Sequence, residues 1–382
     1  MKRLFYHLVA GLVRVTNVFM FSRIEVRGLD RVSWDQPCII SPNHQNAFLD
    51  ALLIGVCAPD TLTFLSRASV FGTPFDWVFD ALHMAPIYRR RDGLDKVAQN
   101  KEVFAEQREQ LTEGGSVVMF SETEHAHTYY LRPLSRGSAR LALTTQQETE
   151  EEVQLVPVGI NYYHLRRPGF KVSIVVGEPI SVPVYMDRYR DDAAGAMNTL
   201  RDDLRDAMKD CLLVPNETDD YRARVDRIHR ENEGLPFPEM KRALQTPENL
   251  DAKGEPRPGL LRLARGIGLL NIVPMWGTRA LMRWVDEPAF TASLKFAVGM
   301  FGLPVWWAVL FGGVSWAGGM AVGIAVTALA VLTMLLRIRL VRYAHPPRLP
   351  RLPASYRRAS LSAPRTRPGV AVEYRRARLR LG

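Results

Sequence analysis

Short apolar runs recur between residues 24 and 180, separated by stretches whose apolar positions follow helical spacing. The runs at 38–41, 61–65, 86–88, 116–120, 154–160 and 171–176 have the length of strands buried on both faces. Helical patterns lie near 47–56, 70–81, 95–111 and 137–146. This alternation predicts an α/β fold, a mostly parallel sheet wrapped by helices. Met197, Leu200, Leu204, Met208 and Cys211 share one face of 187–212, which predicts an amphipathic helix on that core. Residues 215–249 are polar with mixed charge and read as a helical connector. There is no internal repeat.

The pattern changes at both ends. Residues 4–21 are apolar but carry His7, Arg14, Thr16 and Asn17, with Lys2 and Arg3 beside them. That predicts an interfacial membrane helix over 1–23 and not a spanning one. Ser22-Arg23-Ile24-Glu25 follows without a small-residue cleavage site, which argues against a cleaved signal peptide. Residues 258–285 read as a second interfacial or re-entrant segment.

Residues 296–336 then run for 41 positions without a charge. A bilayer core takes about 20 apolar residues per helix. The stretch therefore predicts a transmembrane helical hairpin with spans near 296–312 and 314–336, broken at Gly312-Gly313-Val314-Ser315. Arg279, Arg283 and Lys295 flank one end and Arg337, Arg339 and Arg342 the other, while the turn has no basic residue. By the positive-inside rule both ends face the cytoplasm. The expected organisation is an interfacial helix (1–23), a catalytic α/β domain (24–213), a connector (214–257), a membrane module (258–336) and a basic, disordered tail (337–382).

Charge sharpens that picture. The formal net charge is +10, yet residues 337–382 hold thirteen arginines against one glutamate, a net +12. The basic surface is thus the tail. Because the tail follows a membrane hairpin, anionic headgroups are its expected partner and nucleic acid is not. Three scattered cysteines (Cys38, Cys57, Cys211) form no disulfide framework, in keeping with a cytoplasmic-membrane protein whose body faces a reducing compartment.

The chemistry gathers at strand ends. Cys38-Ile39-Ile40 runs into Ser41-Pro42-Asn43-His44, and Asp50 follows six positions after the histidine. A histidine gripped by a carboxylate can take a proton from an alcohol near neutral pH. The same pair also fits a capping carboxylate beside a structural histidine. Pro86-Ile87-Tyr88-Arg89-Arg90-Arg91 ends a second run in arginines, which suit a phosphate or a solvated basic turn. Phe120-Ser121-Glu122 ends a third, and Arg132 and Arg136 precede a helix start that favours an anion. Val156-Pro157-Val158 reads as a structural pocket wall. No Gly-x-Ser-x-Gly elbow accompanies the histidine, so a serine hydrolase is disfavoured. His125-Ala126-His127 lacks a further ligand cluster, so no metal is expected.

In order, these motifs resemble the glycerolipid acyltransferase family (1-acyl-sn-glycerol-3-phosphate and glycerol-3-phosphate acyltransferases). Asn43, His44 and Asp50 match its first motif, with five residues between His and Asp where four is commonest. Pro86 to Arg89 match the second and Val156 to Val158 the fourth. The third, usually Phe-Pro-Glu-Gly, here reads Phe120-Ser121-Glu122-Thr123. The five-residue spacing is similar to the branch with fungal-type glycerol-3-phosphate acyltransferases.

The resemblance implies a membrane enzyme of phospholipid synthesis that moves a fatty acyl group to a hydroxyl of glycerol-3-phosphate or lysophosphatidic acid. The donor would be acyl-CoA or acyl carrier protein, used as co-substrate, with no cofactor. His44 would be the general base and Asp50 its orienter. Arg89 and Arg90 would hold the acceptor phosphate, Glu122 would position hydroxyls or basic side chains, and Arg132 and Arg136 are further phosphate candidates. Two alternatives remain, another polar-lipid acceptor or a catalytically impaired lipid-binding protein.

Overall fold

The computed structural model describes residues 2–74, 76–88, 98–122, 126–230, 235–246, 258–285 and 290–343. Helix α1 (Lys2–Met20) leads into strand β1 (Phe21–Arg27). There follow β2 (Cys38–Pro42), α2 (Phe48–Cys57), β3 (Leu62–Arg67), α3 (Asp76–Ala81) and β4 (Met84–Ile87). Then come α4 (Asn100–Thr112), β5 (Ser116–Val118), α5 (Gly137–Gln146) and β6 (Gln154–Tyr162). β7 (Phe170–Val176) and β8 (Ile180–Ser181) complete the sheet, before α6 (Met186–Asp191), α7 (Ala193–Asp210), α8 (Tyr221–Arg230) and α9 (Phe237–Gln245). The segment expected as a membrane module holds α10 (Pro258–Ile267), α11 (Ile272–Leu281), α12 (Phe290–Ala297), α13 (Leu303–Gly318) and α14 (Met320–Tyr343).

The sheet runs β1-β7-β6-β2-β5-β3-β4, with β8 against β6. β6-β2-β5-β3-β4 is parallel throughout, as is β1-β7, and only the pairings of β7 and β8 with β6 are antiparallel. β2 and β6 are buried along their whole length, which is why their sequences are apolar without alternation. In a parallel sheet, loops leaving the carboxyl ends of neighbouring strands open onto one crevice. β2 and β5 are such neighbours, with Ile40 opposite Val118, so the segments carrying His44 and Glu122 leave the sheet side by side.

Helices cover both faces of the sheet. One apolar cluster joins β1, β6 and β7 to α2, and the other sets α5 and α7 against the opposite face through Leu141, Leu143, Leu200 and Leu204. The segment expected as a polar connector belongs to the first cluster, since Ile228, Phe237, Met240 and Leu244 are buried in it. Its apolar residues are few but fall on one helix face, a pattern diluted by the charges around them. The helix expected over 187–212 is two helices. Asp192 breaks it and its carboxylate caps the second by accepting the Gly195 N–H at 2.8 Å. Of the helix expected at 70–81, α3 forms, preceded by a 3-10 turn at Ala68–Val70.

Among the described residues, two helices are long and apolar enough to cross a membrane by length and composition, Phe290–Gly318 and Met320–Val341. The break between them falls at Gly319 and not at Gly312-Gly313. Gly319 has φ +87°, a conformation that side-chain-bearing residues rarely adopt, whereas Gly312 and Gly313 lie inside α13. The first helix also begins earlier than expected, so it includes Lys295 and a π-helical turn at Val298–Gly302. Buried Asn271 ties the module together, donating to the Ala330 carbonyl at 2.8 Å and accepting from Trp307 Nε1 at 2.9 Å. The expected tail lies, apart from 337–343, outside the described residues.

Candidate active site

His44 stands in the turn between β2 and α2, and that turn is held from four sides. Asn43 imitates a strand residue: its Oδ1 accepts the Ile160 N–H at 2.6 Å and its Nδ2 donates to the Ile160 carbonyl at 3.2 Å. The His44 N–H donates to Glu122 Oε2 at 2.6 Å, and its carbonyl accepts the Ala126 N–H at 3.0 Å. On the far side Ser293 Oγ, from α12, donates to the Asn46 carbonyl at 2.6 Å and accepts the Leu49 N–H at 3.1 Å. Ala47 is held at φ +46°, ψ −124°, a strained conformation for a residue with a Cβ, which persists only when the surroundings over-determine it.

Asp50 is fully buried at the start of α2. Its Oδ2 faces His44 Nδ1 at 2.9 Å and accepts the N–H groups of Gln45 (2.7 Å) and Asn46 (2.8 Å). Its Oδ1 accepts from the Tyr162 hydroxyl at 2.6 Å. Burial, with Asp50 beside it, raises the Tyr162 phenol well above its ordinary value, so this hydroxyl stays a donor. Both interpretations of the sequence meet here, for Asp50 accepts backbone amides as a capping carboxylate does and also grips the histidine. With Nδ1 facing a carboxylate, the remaining ring nitrogen of His44 carries the lone pair. Phe120 stacks on the ring, centroids 4.0 Å apart, and fixes its plane.

Glu122 faces the Arg132 side chain and also braces backbone. Both oxygens accept backbone amides, Oε2 from His44 and Oε1 from Arg132 (2.7 Å), and the residue is 4% exposed. It braces the two loops against each other from inside. Burial pushes its carboxyl up to about 7, against the opposing pull of those two amides. Ser121, where the family motif has proline, bridges Ser41 Oγ (2.7 Å) and Ser138 Oγ (2.8 Å), and all three serines are fully buried. A hydroxyl ladder thus replaces the proline ring.

Among the predicted phosphate ligands, Arg132 contributes its backbone N–H to Glu122, and Arg136 is an exposed residue just before α5. Arg89 and Arg90 lie outside the described residues. Sequence reasoning missed Tyr162, Ser293 and the bracing use of Glu122. A tyrosine at the end of a fully buried strand was a usable signal, because its hydroxyl must find a partner. Ser293 left none, being a small residue in an apolar helix.

Residues 23–161 match the family described as Acyltransferase. That segment is similar to an acyltransferase domain. Over 146 residues the chain is 27% identical to the chloroplastic 1-acyl-sn-glycerol-3-phosphate acyltransferase BAT2 of Brassica napus, covering 38% of this chain and 40% of that one. The chloroplastic 1-acyl-sn-glycerol-3-phosphate acyltransferase LPAT1 of Arabidopsis thaliana is also 27% identical over 146 residues, 38% of this chain and 39% of that one. An uncharacterised acyltransferase of Schizosaccharomyces pombe is 32% identical over 90 residues, 23% of this chain and 13% of that protein. The matched segment therefore spans about two-fifths or less of these curated relatives. The 1-acyl-sn-glycerophosphate (LPA) acyltransferase PlsC of Thermotoga maritima superposes with TM-score 0.41 and 17% identity, covering 55% of this chain and 79% of that one.

Proposed function

We propose that this acyltransferase works at a membrane, moving a fatty acyl group from an acyl thioester to a hydroxyl of glycerol-3-phosphate or lysophosphatidic acid. The observation that carries the reading is the His44 Nδ1–Asp50 Oδ2 contact of 2.9 Å within a turn braced by Glu122 and Ser293. His44 takes the proton from the acceptor hydroxyl at its second nitrogen, and the oxygen attacks the thioester carbonyl. The C–S bond then breaks, and the thiolate leaves with the proton that His44 returns. Asp50 keeps the imidazole oriented and stabilises it while it is cationic. Arg89 and Arg90 remain candidate phosphate ligands, and acyl-CoA and acyl carrier protein both remain candidate donors. The two apolar helices and the exposed apolar face of α1 (Leu4, Leu8, Val15, Val18) support membrane attachment, with the catalytic domain on the cytoplasmic side.

The test is acyl transfer by purified full-length protein, with labelled acyl-CoA and acyl carrier protein offered against a panel of acceptors. Wild type is expected to acylate a phosphorylated glycerol acceptor and His44→Ala to lose roughly 10²–10⁴ in rate. Equal transfer by both proteins, or none by wild type with any pair, overturns the proposal.

A further inference from the structure

Residues 258–285 and 290–343 contain arginines and one lysine but no aspartate or glutamate. Two of these arginines, Arg279 on α11 and Arg337 on α14, meet beside Gly268, which lies between α10 and α11. A Cβ at Gly268 would stand 2.8 Å from Arg337 Cδ and 3.3 Å from Met275 Sδ, so the glycine makes room for both side chains. Met275 and Arg279 are one turn apart on α11 and share a face. The charge acting on Arg337 is that of Arg279. Arg337 Nε is buried without a hydrogen-bond partner, and no described residue forms an ion pair with either arginine. Two guanidiniums side by side repel, and arginine cannot relieve this by losing a proton. An anion between them removes the cost, and a phosphate matches the guanidinium fork.

The place of the pair points to the carrier of that phosphate. Arg337 is the first charged residue after the 41 uncharged positions of 296–336, so it marks the end of the apolar part of α14. Exposed Leu332 and Leu336 precede it, and exposed Ile272 and Trp276 precede Arg279 on α11. Acyl chains thus have apolar surface beside the arginines, with a tryptophan of the kind that gathers at the bilayer interface. A basic pocket between helices at this depth suits an anionic headgroup. One residue beyond Arg337, Ile338 packs against Gly169 in the turn between β6 and β7. The pair therefore stands where the apolar hairpin joins the α/β domain.

We propose that Arg279 and Arg337 hold the phosphate of a resident anionic phospholipid, which fastens the end of α14 to the α10–α11 pair. This rests on the membrane attachment proposed above and on no catalytic step. The lipid is a fixture and not a reactant. Its site is made by α10, α11 and α14, whereas the turn around His44 is held by β6, Glu122 and α12.

Full-length protein in nanodiscs tests this, with phosphatidylcholine alone or with phosphatidylglycerol added. Phosphatidylglycerol is neither acceptor nor product of the proposed reaction, so its effect is separate from catalysis. It is expected to raise the melting temperature of wild type by roughly 3 °C or more. Arg279→Gln/Arg337→Gln is expected to lose most of that rise, and to melt no lower than wild type in phosphatidylcholine alone because the repulsion is gone. Arg279→Gln alone, at an exposed position, guards against misfolding and should also lose part of the rise. Arg375→Gln/Arg376→Gln removes the same charge from the tail and should keep it. Native mass spectrometry should show affinity for the first phosphatidylglycerol about tenfold lower in the Arg279/Arg337 variant only. No rise in wild type, an equal rise in wild type and that variant, or an equal loss in the tail variant overturns the site. Inorganic phosphate giving the same stabilisation as the lipid would make this a free-anion site and overturn the lipid assignment. Protein that stays soluble without detergent or bilayer overturns the membrane reading and this site together. Protein that inserts but ignores phosphatidylglycerol overturns the site alone.

Discussion

Ser293, on the first apolar helix, donates to the Asn46 carbonyl at 2.6 Å, two residues from the histidine the site is built around. The same hydroxyl accepts the Leu49 N–H at 3.1 Å, so one side chain closes the turn that holds His44 and Asp50. Ser293→Ala removes both bonds and leaves a carbonyl and an amide in a half-buried place. At about 1 kcal/mol per bond, kcat is expected to fall roughly five- to thirtyfold, with KM little changed. Ser293→Thr keeps the hydroxyl and should recover most of the rate. An alanine variant with wild-type kcat would show the contact to be incidental.

Asp50 accepts four hydrogen bonds, and its partners differ in what they contribute. Asp50→Asn puts an NH₂ against donors, so kcat should fall by at least about a hundredfold and the melting temperature should drop as well. Tyr162→Phe removes one donor and leaves the histidine contact, predicting a smaller loss of about tenfold in kcat. Thermal melts beside steady-state kinetics distinguish the two. If Tyr162→Phe proved as damaging as Asp50→Asn, the phenol would have a larger part than orientation.

Ser121 bridges two other buried serines. Ser121→Ala should cost about 1–3 kcal/mol of stability, because Ser41 and Ser138 both lose a partner inside the core. Chemical denaturation measures this. Ser121→Pro restores the family residue but not the hydroxyls, so it should be no more stable than the alanine variant.

The stacked pair His164 and His229, 4.4 Å apart, is held neutral. Burial, then the facing His229 and the cationic neighbours Arg167 and Lys295, push His164 down to about 2, and burial pushes His229 down to about 4 despite Asp226 beside it. Burial and Arg166 likewise hold His127 at about 4. A folded value below the unfolded one, near 6.5, means the unfolded chain binds more protons. The stability these groups contribute is full above pH ~6.5 and is lost as the pH falls through about 4. The melting temperature should therefore drop between pH 7 and 5, and His229→Asn should make that drop shallower. An equal or steeper slope in the variant would contradict the assignment.

The sheet was legible because β2, β5, β6 and β7 are buried almost throughout, so apolar residues dominate their pattern. β1 escaped notice because Ser22, Arg23, Glu25 and Arg27 break its apolar run, and β8 is only two residues long. His44 and Asp50 were readable from their spacing, since the turn geometry is local. Glu122 was found, but its backbone partners were not, because the direction of a carboxylate depends on loops that meet only in the folded state. Ser293 was invisible for the same reason, 247 positions from Asn46. The hairpin break was misplaced because two glycines in a helix mark flexibility, whereas a turn needs one glycine at positive φ with the helices on either side long enough to pair.

That separation of Ser293 from Asn46 also orders events during synthesis. Chains are made from the amino end and fold as segments emerge, so the sheet and α2 are complete long before residue 293 exists. Until then the turn around His44 lacks the clasp supplied by the first apolar helix. A nascent or truncated chain with an intact sheet but no residue 293 thus carries a turn around His44 that lacks its clasp.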